Sequence, residues 1–340
     1  MEDKSSHDKS TRRMVNPVLV IVVAILGFSL VVVFFILSPE KFVGKEPEQK
    51  ILPTAEIDLW RAPDFNKIPN GEIGELIKYG HDLIVQTSTY LGPHGSALQI
   101  SNGMNCQNCH LDAGTKPFSN NYSAVASTYP KLRARSGSIE NIEKRINDCL
   151  ERSLNGKALL LDSREMKAMS AYIMWVGSEV PKGESPKGVG LVNIAFLDRP
   201  ARAENGKIVY EKCIVCHGKN GEGIMLANGS GWQYPPLWGE GSYNMGAGLY
   251  RLSRFAGYVK ANMPFGATWD APQLTDEEAW DVAAYVNSMP RPTKDLSKDW
   301  PDISKKPIDH PFGPYADEFD VAQHKFGPFK PIKDKSKPND

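Results

Sequence analysis

The sequence predicts an all-α chain built from two tandem copies of one small helical domain. Three observations lead there. Strand-like alternation of apolar and polar residues is almost absent along the 340 residues. The pentapeptide Cys-x-x-Cys-His occurs twice, as Cys106-Gln107-Asn108-Cys109-His110 and as Cys213-Ile214-Val215-Cys216-His217. Each copy lies between two apolar patterns of helical period, the second of which opens on a capping sequence. Similar surroundings at both motifs read as an internal duplication.

Residues 1–16 form a polar N-terminus with Lys4, Lys9, Arg12 and Arg13. Residues 17–37, from Pro17 to Leu37, are apolar and uncharged. At 1.5 Å per residue they are long enough to cross a hydrocarbon core about 30 Å thick. The basic residues before the run predict a cytoplasmic N-terminus. The run is long for the apolar part of a cleaved signal peptide, and no A-x-A-like site follows before Ser38-Pro39-Glu40. Arg12-Arg13 sits in surroundings that match a twin-arginine export signal poorly. The reading is a single-pass anchor in the cytoplasmic (inner) membrane, with the rest of the chain on the periplasmic, extracytoplasmic side. Residues 38–70, rich in Pro, Lys and Glu, are a tether.

The first domain spans 71–180. Ile73, Leu76, Ile77, Leu83 and Ile84 recur at helical spacing before its motif. Its closing helix opens on Asp162-Ser163-Arg164-Glu165 and continues through Met166, Met169, Tyr172, Ile173 and Trp175. Residues 181–202, with Pro181, Pro186 and Pro200, are a linker. The second domain spans 203–290. A shorter helical pattern from Ala203 to Ile214 leads into its motif, and its closing helix opens on Thr275-Asp276-Glu277-Glu278 before Trp280, Val282, Tyr285 and Val286. In both closing helices the first residue is expected to cap and the Glu three positions later to reach back. Ala171-Tyr172 and Ala284-Tyr285 stand at the same relative place. Residues 291–340 are rich in Pro, Lys and Asp, but Trp300, Phe312, Tyr315, Phe319, Phe326 and Phe329 argue against disorder. They are expected to form an extended strap over the second domain, frayed at its end.

The motifs carry the chemistry. Two thiols three positions apart on a helical turn reach both vinyl groups of a haem, and the adjacent histidine meets the iron. Cys106, Cys109, Cys213 and Cys216 are therefore read as covalent attachment points for two c-type haems, with His110 and His217 as proximal ligands. A zinc site needs four ligands together, and the motifs are far apart in the chain. A thioredoxin-like pair needs a βαβ context that neither motif has. Attachment to Cys-x-x-Cys-His takes place outside the bacterial cytoplasm, in agreement with the anchor. Lys and Arg together number 40, as do Asp and Glu, so nothing in the charge favours nucleic acid.

The distal ligands separate the two sites. In the second domain Met263 stands in Ala261-Asn262-Met263-Pro264-Phe265-Gly266 after a helical stretch, with Met245 and Lys260 as rivals. A thioether ligand favours Fe(II) and suits a relay. In the first domain, aligning Gly156 with Gly266 puts Ser153 opposite Met263. Arg145, Cys149 and Ser153 are spaced i, i+4, i+8 and share one helix face. A cysteine one turn from an arginine and facing an iron is a candidate thiolate ligand; a buried inert thiol and an intermolecular disulfide are the other fates open to it.

Three stretches resemble the dihaem thiosulfate dehydrogenases, which form tetrathionate. These are Asn105 to Thr115, Tyr129-Pro130 through Arg133-Ala134-Arg135-Ser136-Gly137, and Arg145 to Gly156. The likeness runs from about Gly71 to Pro290; the anchor and C-terminal tail fall outside it. The resemblance implies two tandem cytochrome c domains. The first haem, ligated by His110 and Cys149, would be the catalytic site, with Arg135, Arg145 and Ser153 as pocket residues. The second haem would pass electrons to an extracytoplasmic cytochrome or another electron-transfer partner at the membrane. The implied substrates are thiosulfate and tetrathionate, through an adduct on the cysteine sulfur. Rival readings are a tetrathionate reductase using the same site, a tethered electron shuttle without chemistry, and a subunit conjugating thiosulfate to a carrier protein.

Overall fold

The computed structural model describes residues 58–336, together with residues 25, 26, 28 and 29. The expected N-terminus, the apolar run 17–37 apart from those four positions, and the tether as far as residue 57 lie outside the described residues. Among the described residues no helix is long and apolar enough to cross a membrane. Asp58–Asp340 is one compact unit, so both haem-motif domains share it.

The main helices are α1 (Glu72–Val85), α2 (Ile142–Arg152) and α3 (Arg164–Val176) in the first domain. The second has α4 (Ala203–Tyr210), α5 (Leu252–Asn262) and α6 (Asp276–Ser288), and the tail ends in α7 (Val321–Phe326) and α8 (Lys330–Lys335). Short helical turns, among them Thr87–Leu91 and Ile214–His217, fill the connections. The expectation of helix alone needs amending by two small antiparallel hairpins, β1 (Lys131–Arg133) with β2 (Ser138–Glu140), and β3 (Ile224–Met225) with β4 (Trp232–Tyr234). Strands of two or three residues are too short to leave a period in the sequence.

Each domain is organised by one helix crossing. In the first, α1 crosses α3 so closely that a Cβ on Gly80 would lie 2.0 Å from Ala168 O. In the second, α4 crosses α6, and a Cβ on Gly206 would lie 1.9 Å from Asp281 O. The flanking tyrosines correspond too: Tyr172 Cβ and Tyr285 Cβ each lie 2.8 Å from the imagined methyl. Missing side chains let the two backbones touch, and the apolar faces seal around them. Leu83, Ile84, Met166, Met169 and Tyr172 form the first core; Tyr210, Phe255, Trp280 and Val286 form the second. Ile73, counted with the apolar face of α1, is instead 53% exposed.

The closing helices are capped differently. Thr275 and Glu278 form the expected reciprocal box: Glu278 N donates to Thr275 Oγ1 at 3.1 Å and Thr275 N to Glu278 Oε2 at 2.8 Å. In α3 the cap is Ser163, whose Oγ accepts from Met166 N at 3.2 Å, and not Asp162. With the start shifted by one residue, Glu165 is in the wrong register to reach back, and it accepts from Tyr79 OH instead.

The C-terminal strap touches both domains. Asp299 binds Arg152 of the first domain through both carboxylate oxygens, at 2.7 and 2.8 Å. Asp309 accepts from Arg251 Nε at 2.8 Å and from Ser253 N at 3.1 Å, so it caps the start of α5 from outside the helix. Burial pushes the Asp309 carboxyl up, but Arg251 and Ser253 outweigh it and hold the group below the usual range. Farther on, Phe329 packs on Phe196 and Trp280, and Ala201 N donates to Phe326 O at 2.8 Å. The described end of the strap is helical.

The crossings generate a stability prediction. Gly206→Ala forces a methyl into the α6 backbone and should destabilise the protein by about 3 kcal/mol, the upper part of the overpacking range. The control is Gly248→Ala, at a position with open space around it, which should be near neutral. Urea unfolding midpoints check both; equal midpoints would show that the crossing is not close-packed.

Candidate active site

Two cavities coincide with the two motifs. The first, about 250 Å³, is lined by Cys106, Cys109, His110, Arg145, Cys149 and Ser153, among others. The second, about 560 Å³, is lined by Cys213, Cys216, His217 and Met263, among others. Each cavity thus presents a thiol pair and an imidazole. His110 Nδ1 is 2.5 Å from Asn120 O, and His217 Nδ1 is 2.8 Å from Pro235 O. A carbonyl at Nδ1 fixes the proton there and leaves Nε2 free for an iron. The His110 ring also stacks on Tyr122 at 4.8 Å. Burial lowers the affinity of His217 for a proton, so its imidazole is kept neutral, as a ligand must be. Among the described residues no group of three or more His, Cys, Asp or Glu side chains is placed to hold a bare metal ion.

Helix α2 delivers the distal side of the first cavity. Asn141 caps it, its Oδ1 accepting from Lys144 N at 2.9 Å. Asn147, buried, ties α2 to the following loop by bonds of 2.8 and 3.0 Å to the backbone of Leu159. With the helix held on that side, Arg145, Cys149 and Ser153 all line the cavity, as their spacing requires. Burial pushes the Cys149 thiol up, but the Arg145 guanidinium and a hydrogen bond with His110 outweigh it and bring the group to about 7. The Cys106 and Cys109 thiols have no such cation, and burial drives them to about 12. Cys149 is therefore chemically distinct from the two motif cysteines of this cavity.

Arg135 does not line this cavity. It stands beside it, Nη1 donating to Gly246 O of the second domain at 3.3 Å, with Trp300 of the strap 5.7 Å from its guanidinium carbon. Burial first, then the charges of Arg152 and Arg145, lower its pKa to about 10. Lys131 lines the cavity, although in the sequence it is only one cation among several. Its place in the three-residue strand β1, before a hairpin, had no readable pattern.

In the second cavity the three candidate ligands separate. Met263 lies on the wall, at the C-terminal end of α5. Lys260 points elsewhere: its Nζ donates to Leu274 O at 2.6 Å and pairs with Asp276 Oδ1 at 2.7 Å. Met245 is not among the lining residues; its backbone N is bonded to Pro292 O at 3.0 Å. The two cavities also share a wall. Cys109 lines both, and Tyr258 OH of α5 donates to Asn108 O at 2.7 Å.

Comparison with known proteins agrees with this arrangement. Residues 96–181 match the model of the SoxA/TsdA cytochrome c domain, and residues 203–290 match that of cytochrome c. The thiosulfate dehydrogenase of Psychrobacter arcticus is 39% identical over 242 residues, 71% of this chain and 71% of that protein. The chain belongs to the thiosulfate dehydrogenase family. The family's enzyme from Allochromatium vinosum is 38% identical over 66% of this chain and 82% of its own. A solved family structure, thiosulfate dehydrogenase (TsdBA) from Marichromatium purpuratum in its as-isolated form, superimposes with a TM-score of 0.64 at 32% identity over 69% of this chain. This chain spans about half the length of that solved relative, 50%. The tandem cytochrome c architecture is thus shown, and with it two c-type haems. The strap after Pro290 lies beyond both family-model matches.

A haem count follows. The isolated protein should carry two haems per chain that survive denaturation. Cys213→Ala together with Cys216→Ala should leave one, measured as haem absorbance per polypeptide mass. Two covalent haems in that variant would contradict the assignment.

Proposed function

We propose that this protein oxidises two thiosulfates to one tetrathionate at its first haem site and passes the electrons through its second to an external acceptor. The observation that bears most weight is the placement of Arg145, Cys149 and Ser153 on one face of α2, opening on the cavity of Cys106, Cys109 and His110. A site for electron transfer alone has no use for a reactive thiol beside a half-buried guanidinium. The thiosulfate dehydrogenase relatives support the same reading.

In this proposal His110 and Cys149 would hold the iron of the first haem, and His217 and Met263 that of the second. Bound haems supply the two one-electron acceptors that the reaction needs. Arg145 draws the thiosulfate dianion inward and donates charge-assisted hydrogen bonds to its oxygens. The Ser153 hydroxyl donates a further bond, and Arg135 adds positive charge at the edge. Cys149 reacts as the thiolate. A bond forms between its Sγ and the outer sulfur of one thiosulfate, and two electrons leave. A second thiosulfate attacks that outer sulfur, forming the central bond of tetrathionate and breaking the bond to Cys149. The thiolate is restored, and one difficult coupling has become two easier steps. The wall shared at Cys109 provides a short way out for electrons toward the second domain.

The proposal includes the membrane. Residues 17–37 would anchor the chain, with the haem domains on the extracytoplasmic side and a cytochrome or membrane-bound partner as acceptor.

Two outcomes test these points. Cys149→Ala should lower thiosulfate-dependent haem reduction and tetrathionate formation by at least about a thousandfold. It should also abolish the low-spin thiolate signal of the oxidised protein; activity within about tenfold of wild type would reduce the protein to a shuttle. Faster turnover with reduced dye and tetrathionate would reverse the working direction. For the anchor, the full chain should stay with membranes through an alkaline carbonate wash. A version with a cleavable export signal in place of residues 1–37 should be soluble and dihaem, whereas a soluble full-length chain would remove the anchor.

A further inference from the structure

The strap meets the first domain beside the proposed active site, and the joint there contains unspent hydrogen-bond donors. Asp299 holds Arg152 through both guanidinium Nη atoms. Trp300 N donates to Arg135 O at 2.7 Å, which brings the indole against the Arg135 guanidinium. Arg135 and Arg152 meet again at Gly246: Arg135 Nη1 bonds its carbonyl, and a Cβ there would lie 2.8 Å from Arg152 Nη1. Three buried N–H groups at this joint, Arg135 Nε, Arg152 Nε and Trp300 Nε1, have no acceptor among the described residues. Buried donors without a partner are rare, because each forfeits its hydration for nothing. Here they gather where Arg135 and Arg152 face Asp299, with Arg145 and Asp148 both near enough to act on Arg135, three cations against two carboxylates. The local charge is positive.

We propose that this joint is an oxyanion-binding site, one of its three donors supplied by the C-terminal strap. The guanidinium and indole N–H groups are donors only, so their partner must be an acceptor, and the unbalanced positive charge selects an anionic one. Its source is either a propionate of the first haem or a free small oxyanion such as thiosulfate. Asp299 fixes Arg152 by its Nη atoms and leaves Nε as the remaining donor. Trp300 adopts φ of +60°, a conformation few non-glycine residues take, and it sets the indole on Arg135. The strap thereby serves as part of a binding site and not only as a cover.

The experiment compares the holoprotein with Trp300→Phe, which removes one donor and keeps a ring. If a free oxyanion is bound, the dissociation constant for sulfate, a non-reacting dianion, should rise about tenfold, with the first haem's potential unchanged. If a haem propionate is bound, sulfate affinity should stay the same. The first haem's potential and the propionate bending vibration in its resonance Raman spectrum should then shift. Should Trp300→Phe not fold, Arg152→Gln with Asp299→Asn removes a donor without leaving a lone buried charge and is read on the same two arms. No change on either arm would overturn the proposal. Neither arm requires turnover, so a protein that fails to oxidise thiosulfate sinks the proposed activity without deciding the joint.

Discussion

A guanidinium and a thiol, both half-buried at a cavity wall and four residues apart on one helix, each stabilise the other's charge. Cys149 raises the proton affinity of Arg145, and Arg145 lowers that of Cys149. Desolvation alone would raise the Cys149 thiol, and the Arg145 charge is what outweighs it. The rest of the first domain serves this pair. The Gly80 crossing sets the core against which α2 packs, and Asn147 and the Asn141 cap hold α2 in register. The Asn120 carbonyl holds His110 Nδ1, and the imidazole lines the same cavity.

The second domain repeats the scaffold without the pair. Gly206 repeats the close crossing of Gly80, and Tyr285 repeats Tyr172. On the cavity wall the chemistry parts: Met263, a neutral thioether that needs no cation, lines the second cavity. The two domains share the close backbone crossing and differ in the side chain on the cavity wall, Cys149 in one and Met263 in the other. The domains are joined tightly enough that Cys109 serves both cavities and Tyr258 bonds the backbone of the first motif.

Much of the site was legible because its information is local. The two pentapeptides identify haem attachment by spacing alone, and the period of α2 puts Arg145, Cys149 and Ser153 on one face. Boundaries were less legible. Asp162 and Ser163 are both good caps, and only the packing of α3 selects Ser163. The hairpin of β1 and β2, which brings Lys131 to the cavity, is too short for any pattern to announce it.

The sequence by itself determined the number of haems, the atoms that attach them, and which domain bears the extra cysteine among arginines. These follow from residues within two or three helical turns of one another, where chain geometry fixes the neighbours. Tertiary structure alone decided that Met263 lies on the cavity wall while Lys260 is spent on Leu274 and Asp276. It alone decided that Arg135 stands beside the first cavity against Gly246, 111 residues away, and that Asp299 reaches Arg152 across 147 residues. Contacts of that range leave no trace in local spacing, because they depend on how two finished domains and a strap pack against one another.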